Sequence, residues 1–361
     1  MMMKKLTALT LSCAMVFSLA ACSGSDKPTG GSADPAPATG APANTEDKPV
    51  TLRMASVVST NELEGRNTGM SAGLMTWIDT VKAESGGTID IQLFADGQLA
   101  SGTDAIVNGI QTGAFEVAHF TTGNWSEYSN AFAELNVPYL YSSYDEVHSV
   151  LEGDIGQAMK DQLEQDVNGI KPLAYISIGF RNVTASKPVQ SVADMKGLKI
   201  RTMNDTLQIA AMEAMGCAVT SVPISELYSA LQTKMVDAEE NPLSTIYAQK
   251  FYEVNPYCCL TKHSYTSTFV FMNADIYNSL SENQKAAIDK ANEAATAASK
   301  TAAEAAEAEY QQMLTDAGMT IYEPTAEEMA AFKDAASACW DQAKGIMGDD
   351  RYAALMSAMG M

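Results

Sequence analysis

Hydrophobic and polar positions change period repeatedly along the chain. Thr51 to Val58 (TLRMASVV), rich in β-branched residues behind Pro49, predicts a strand. From Asn67 to Ser85 the apolar residues Met70, Leu74, Trp77, Ile78 and Val81 recur at helical spacing on one face, and Gly86 supplies a stop. Thr88 to Phe94 alternates as a strand. Thr103 to Thr112 reads as a short helix carrying Ile106, Val107 and Ile110, and Phe115 to Phe120 as a third strand. Strand and helix thus take turns, which argues for parallel sheets assembled from βαβ units and an α/β fold.

The same alternation continues downstream. Ser143 and Glu146 form a capping box that opens a helix expected over Asp145 to Gln165. Leu173 to Phe180 is a long apolar strand expected to emerge at Arg181, where the chain crosses into a second lobe through GFRNVTASKPV, read as a hinge strand. Between Ser191 and Val254 three strand-to-helix units follow: Leu198 to Ile200 into Asp205 to Met215, Cys217 to Val222 into SELYSALQTKM, and Met235 to Glu239 into NPLSTIYAQKFYEV. Ser281 with Gln284 is a further capping box, and neither proline nor glycine interrupts Glu282 to Asp316. That predicts one helix on the order of 50 Å long at 1.5 Å per residue, longer than one lobe is wide. A coiled coil would need a leucine seam where this segment offers alanine. Thr325 with Glu328 begins a helix expected to reach Lys344, and Arg351 to Met359 a last short one.

The first residues follow different rules. Met1 to Lys5 carries two lysines, Leu6 to Ala21 is apolar but too short to span a bilayer, and Leu19-Ala20-Ala21-Cys22 closes the run. This pattern reads as a lipoprotein signal peptide over 1–21, with Cys22 as the lipidated residue; an ordinary signal peptide cut nearby is the alternative. Residues 22–48, dominated by Gly, Ser, Pro, Ala and Thr, cannot bury enough apolar surface to fold and are expected to act as a flexible tether. The expected location is extracytoplasmic, at the cell surface or in the periplasm, with a lipid anchor to the membrane.

Composition narrows the functional classes. The 361 residues carry a formal net charge of −21, and no basic stripe is present, so nucleic acid is disfavoured as a partner. No Gly-x-Ser-x-Gly elbow, His-Glu-x-x-His, P-loop or Gly-x-Gly-x-x-Gly fingerprint occurs, and His119, His148 and His263 are far apart. An enzyme is not expected, nor a cofactor or metal. Cys217, Cys258, Cys259 and Cys339 show no disulfide framework by spacing and read as buried apolar thiols. Five arginines occur, and two of them, Arg181 and Arg201, fall at strand ends, where open α/β sheets place ligands. A guanidinium offers a planar fork of donors suited to a carboxylate. Each arginine is equally readable as paired with one of the protein's many acids. Asn241, followed by Pro242, has the sequence of a helix cap. Trp125, in the loop TTGNWSEYSN, reads equally as a core or lid aromatic and as a surface on which a ligand stacks.

GFRN around Arg181, MKGLKIR around Arg201, ELYSALQ and VDAEENPLSTIYAQKFYEV stand in collinear order between about Val50 and Ala330. Together they resemble the DctP-type solute receptors of tripartite ATP-independent periplasmic (TRAP) transporters. The resemblance implies a two-lobed periplasmic-binding-protein-like fold, each lobe a sheet flanked by helices, with a long helix spanning both. Lobe I is expected over 49–178 plus 267–306, and lobe II over 179–266 plus 307–361. It further implies that Arg201 and Arg181 hold the carboxylate of a small organic acid and that Asn241 faces the cleft. Asn204 and Ile224 match further ligand-facing positions, although Met203 stands where relatives often carry proline and Ile224 where they carry an aromatic residue. The implied partners are a small and a large membrane subunit driven by an ion gradient, with the receptor itself a monomer. A solute-binding lipoprotein of an ATP-driven (ABC) importer or of a sensor is the alternative.

Overall fold

The computed structural model describes residues 47–361 apart from Arg66. The expected signal peptide, Cys22 and nearly all of the tether lie outside the described residues. The first half of the chain contributes β1 (Val50–Ser56), α1 (Thr60–Gly65), α2 (Gly69–Glu84), β2 (Ile89–Phe94), α3 (Thr103–Thr112), β3 (Val117–Thr121), α4 (Tyr144–Leu151) and α5 (Asp154–Asp166). After β4 (Ile170–Ala185) come α6 (Val192–Met195), β5 (Lys199–Thr202), α7 (Thr206–Ala214), β6 (Ala218–Ser221), α8 (Ile224–Gln232), β7 (Ala238–Asn241) and α9 (Leu243–Ala248). The chain ends with β8 (Tyr257–Asn273), α10 (Ala274–Ser279), α11 (Glu282–Asp316), β9 (Thr320–Tyr322), α12 (Ala326–Ala336), α13 (Cys339–Met347) and α14 (Asp349–Ala358). No helix among the described residues is long and apolar enough to cross a membrane.

The fold is α/β with two halves, as the alternation of periods predicts. β2, β1 and β3 are parallel neighbours, and so are β6, β5 and β7. The two parallel groups join into one sheet of order β2-β1-β3-β8-β4-β7-β5-β6, because β4 and β8 run antiparallel through both halves. β4 is therefore longer than expected, and Arg181 lies inside it rather than at its end. The 17-residue β8 has no counterpart among the elements that the sequence pattern predicts. Both long strands change register between Ser177 and Gly179 and again between Arg181 and Val183, so the sheet bends where one half passes into the other.

Two expected helices are each broken in two. Between α4 and α5, Gly153 is the second helix's N-cap, and a Cβ on Gly156 would lie 1.9 Å from the Leu151 carbonyl oxygen, so the chain folds back tightly there. The helix expected from Thr325 to Lys344 likewise stops at Ala336 and restarts at Cys339. α12 buries Phe332 in the second half, while α13 packs both on α7 of the second half and, with α14, on residues 130–138 of the first. There Trp340 Nε1 donates to Pro138 O at 3.0 Å, and Arg351 Nη2 reaches Glu134 at 2.7 Å.

The long helix α11 begins at its predicted capping box, with the Ser281 and Gln284 side chains each bonded to the other's backbone. Its composition reflects what it packs against. Ala291, Ala295, Ser299 and Ala303 are buried against α2 and β4, and small side chains let the backbones approach. Gly69 completes this contact: a Cβ there would lie 2.4 Å from Ser177 O and 2.9 Å from Ser299 O, both backbone atoms that cannot step aside. Gly69→Ala is expected to lower unfolding free energy by about 1–3 kcal/mol in urea titrations, despite alanine's better helix propensity.

Candidate functional site

The carboxyl ends of β1 and β3 face those of β5, β6 and β7 across the gap between the halves, and a cavity of about 480 Å³ opens there. This is where α/β sheets leave room for a ligand. Of the residues singled out from sequence, Arg201, Arg181, Asn241, Asn204 and Ile224 line it.

Arg201 is the third residue of β5, with Ile200 and Thr202 turned to the opposite face of the strand. Its Nε donates to Val222 O at 2.7 Å, and Nη1 and Nη2 make no hydrogen bond within the described residues. The side chain is only 3% exposed. Burial pushes its pKa down to about 10; Glu240 and Glu239 oppose the shift and the nearby Arg181 charge adds to it. A depressed arginine marks a desolvated cation lacking a full counter-charge.

Arg181 differs. It is equally buried, but Nη2 donates to Glu240 Oε1 at 2.9 Å and to Asn241 Oδ1 at 3.1 Å, Nε reaches Glu240 Oε2, and Nη1 donates to Thr266 Oγ1 at 2.8 Å. Burial would raise the Glu240 carboxyl, but Arg181 and His263 outweigh it and hold Glu240 at about 2. His263 lies 3.1 Å from Glu240, and burial pushes its own pKa down against the pull of that carboxylate. The two arginines are thus unequal: Glu240 already matches one of them, and the other keeps its donors.

Asn241 ends β7 and does not cap α9, whose N-cap is Pro242. Its Nδ2 donates to Glu239 at 2.6 Å while its Oδ1 accepts from Arg181, so two buried neighbours orient the amide at the cavity wall. Asn204 is not a cap either. Asp205 caps α7, accepting from Gln208 N at 2.8 Å, and Asn204 instead donates across the gap to Glu127. Trp125 does not line the cavity. It is fully buried, with its ring 4.7 Å from Phe271 and 6.5 Å from Phe120, and its Nε1 has no partner, so the stacking role is replaced by a core one. Its loop does reach the cavity, through Asn124 and Glu127. Trp125→Phe should cost about 1–2 kcal/mol in urea unfolding, since volume but no hydrogen bond is lost, and leave ligand affinity unchanged in calorimetry.

Sequence reading missed Glu240, Thr266 and His263, which fix Arg181. The adjacent pair Glu239-Glu240 before Asn241 was the one available signal, because two acids inside a short strand of an α/β core require partners. Burial raises Glu239 to about 7, against the hydrogen bonds it accepts from Thr184 and Asn241. Because its folded pKa exceeds the unfolded value of 4.5, its contribution favours the folded state at acid pH and is lost as pH rises from 4.5 through 7. Relative to the parent, Glu239→Gln should therefore gain on the order of 3 kcal/mol between pH 4.5 and 8, read from urea unfolding at the two pH values. Cys217, Cys258, Cys259 and Cys339 are buried free thiols, as their sequence context suggests.

The profile of the family described as bacterial extracellular solute-binding protein, family 7 (DctP) matches residues 60–345. The chain is 34% identical over 228 residues to the 2,3-diketo-L-gulonate-binding periplasmic protein YiaO of Escherichia coli, covering 63% of this chain and 69% of that one. It is 27% identical over 313 residues to the C4-dicarboxylate-binding periplasmic protein DctP of Rhodobacter capsulatus, covering 86% and 91%. The crystal structure of the sugar acid binding protein of Advenella mimigardefordensis in complex with galactonate superposes with a TM-score of 0.80 at 25% identity, over 87% of this chain and 99% of that one. The chain belongs to the bacterial extracellular solute-binding protein family 7, the DctP-type receptors of TRAP transporters.

Proposed function

We propose that this receptor binds an organic acid anion by its carboxylate at Arg201 and delivers it to a membrane permease made of a small and a large TRAP subunit. The observation that carries the reading is a nearly inaccessible guanidinium with both Nη groups unbonded within the described residues, on the wall of a cavity between two halves. A carboxylate would supply the missing counter-charge through two parallel hydrogen bonds. Arg181, matched by Glu240, then acts as a positioning residue that orients Asn241 together with Glu239. Val57, Asn124 and Glu127 come from the first half, so a bound acid touches both halves and favours their closed arrangement, with bending at the register changes of β4 and β8. Three similar proteins are named for diketogulonate, C4-dicarboxylate and galactonate, all organic acids. Cys22 would tether the receptor outside the membrane as a lipid-anchored monomer, and the acid would leave chemically unchanged.

The test is a thermal-shift screen of carboxylic acids against their primary amides, with the bound acid recovered and analysed by mass spectrometry. An acid should raise the melting temperature while its amide does not. Equal shifts from the two, or conversion of the acid, would overturn the reading.

A further inference from the structure

We infer that the receptor takes up its acid together with a proton, which Glu239 accepts, so that affinity weakens as pH rises past neutrality. This rests on the carboxylate reading above and adds a proton balance to it. Strand pairing supplies the geometry. β5 and β7 are parallel neighbours with Arg201 opposite Glu239, and registered residues of parallel strands put their side chains on one face of the sheet. The Glu239 charge is accordingly felt at Arg201. Glu239 Oε2 also accepts from Asn241 Nδ2 at 2.6 Å, and Asn241 lines the cavity together with Arg201. A carboxylate seated on Arg201 therefore brings a second anion to the side of the sheet that already holds Glu239.

The surroundings of Glu239 leave its charge free to change. It is fully buried, and the hydrogen bonds it accepts come from neutral groups, Thr184 Oγ1 on Oε1 and Asn241 Nδ2 on Oε2. Burial raises its pKa to about 7, and the charge of Glu240, the next residue of β7, adds to the rise. The cation on β4, Arg181, is engaged by Glu240, which His263 of β8 also faces. Cys258 of β8 is a thiol whose own pKa burial pushes up. Arg201 of β5 is thus the cation that an ionised Glu239 serves as a partial counter-charge in the empty receptor. A bound carboxylate takes over that service, and as a like charge it raises Glu239 further. Both protonation states fit the site. Thr184 Oγ1 donates to the ionised form, and although it accepts from Asn255 Nδ2 at 3.3 Å, a hydroxyl oxygen has a second lone pair with which to accept Oε1–H. Oε2 goes on accepting from Asn241, so the cavity wall keeps its shape. Below pH 7 Glu239 is protonated with or without ligand; above 7, up to its raised value in the complex, each bound acid brings a proton and affinity falls.

The experiment is calorimetric titration of the mature protein between pH 6 and pH 8.5 at fixed ionic strength, with the acid that the screen above selects and with gluconate and lactate as first probes. Over that range an ordinary carboxylic acid stays ionised and Arg201, with its pKa at about 10, stays charged, so neither shapes the profile. The parent is expected to weaken about fivefold or more from the lower limit to the upper, and at pH 7.5, in buffers of different ionisation enthalpy, to take up about half a proton per acid bound. Glu239→Gln, which carries a neutral group of the same shape, should bind at pH 8.5 as tightly as the parent does at pH 6, with a flat profile and that uptake gone. A parent with unchanged affinity and no proton uptake overturns this inference, and so does a folded Glu239→Gln that binds nothing. A Gln variant that keeps the parent's slope overturns it too and assigns the proton to Glu62 or Asp205, buried acids also raised to about 7. In each case binding that is lost in Arg201→Ala leaves the carboxylate reading standing. If no acid of any kind binds the parent at any pH, the carboxylate reading itself fails, and this inference with it.

Discussion

Arg201→Ala is expected to weaken acid binding at least a hundredfold while leaving the unliganded protein as stable as the parent, or more so. The two halves of that result have one cause. Truncating one partner of a buried, hydrogen-bonded charge pair costs about 2–5 kcal/mol of binding free energy, and the bound carboxylate would also be left desolvated without its donors. In the unliganded protein the same guanidinium is a burden, since its pKa is pushed down to about 10 by burial that its neighbours do not fully offset. Removing it relieves that cost, against which only the Nε bond to Val222 O at 2.7 Å is lost. Arg201→Lys should fall between: the charge persists, but a point charge on a flexible stem replaces a planar fork. Isothermal titration calorimetry and thermal unfolding with and without ligand check both halves together. Unchanged affinity in Arg201→Ala would remove the residue from the site. A variant that melts far below the parent when unliganded would make Arg201 structural instead.

The contrast between the two arginines shows what a linear reading reaches. Arg181 and Arg201 look alike in sequence, each at the end of an apolar run and each assigned to a substrate carboxylate. What separates them is the pairing of β4 with β7, which sets Val183 opposite Glu240 and brings that carboxylate onto Arg181. The two residues are 59 positions apart, and no local pattern encodes the contact. Local signals did carry most of the elements. The capping box at Ser281 and the uninterrupted run to Asp316 define α11 to the residue, because caps and breakers act within one turn. β8 escaped notice because it is buried on both faces and lacks the alternation that marks a half-exposed strand. Trp125 illustrates the same limit from the other side: its loop does meet the cavity, but which of its side chains turn inward was settled by Phe120 and Phe271 packing around the indole.

Glu240→Gln should be among the most destabilising single changes in the second half, lowering unfolding free energy by about 3–5 kcal/mol at neutral pH. The shape is preserved, but Arg181, 1% exposed, loses its counter-ion while Arg201 remains a second uncompensated cation nearby. The penalty is therefore that of an orphaned charge, and its signature lies in the double variant: Glu240→Gln with Arg181→Met should recover most of the loss, giving a strong coupling in the mutant cycle. Acid titration supplies an independent check. Glu240 is held at about 2 in the folded protein against an ordinary 4.5, so its contribution is present above 4.5 and is lost as pH falls from 4.5 towards 2. The parent should lose that increment on acidification and the Gln variant should not. The surviving cations also predict that a bound acid stabilises Glu240→Gln more than it stabilises the parent, because the ligand then neutralises a site holding two positive charges and no matched acid. Urea unfolding at pH 7 and pH 3, with and without ligand, decides the matter: a Gln variant as stable as the parent would mean that Arg181 finds its counter-charge elsewhere, and that the division of labour between the two arginines is wrong.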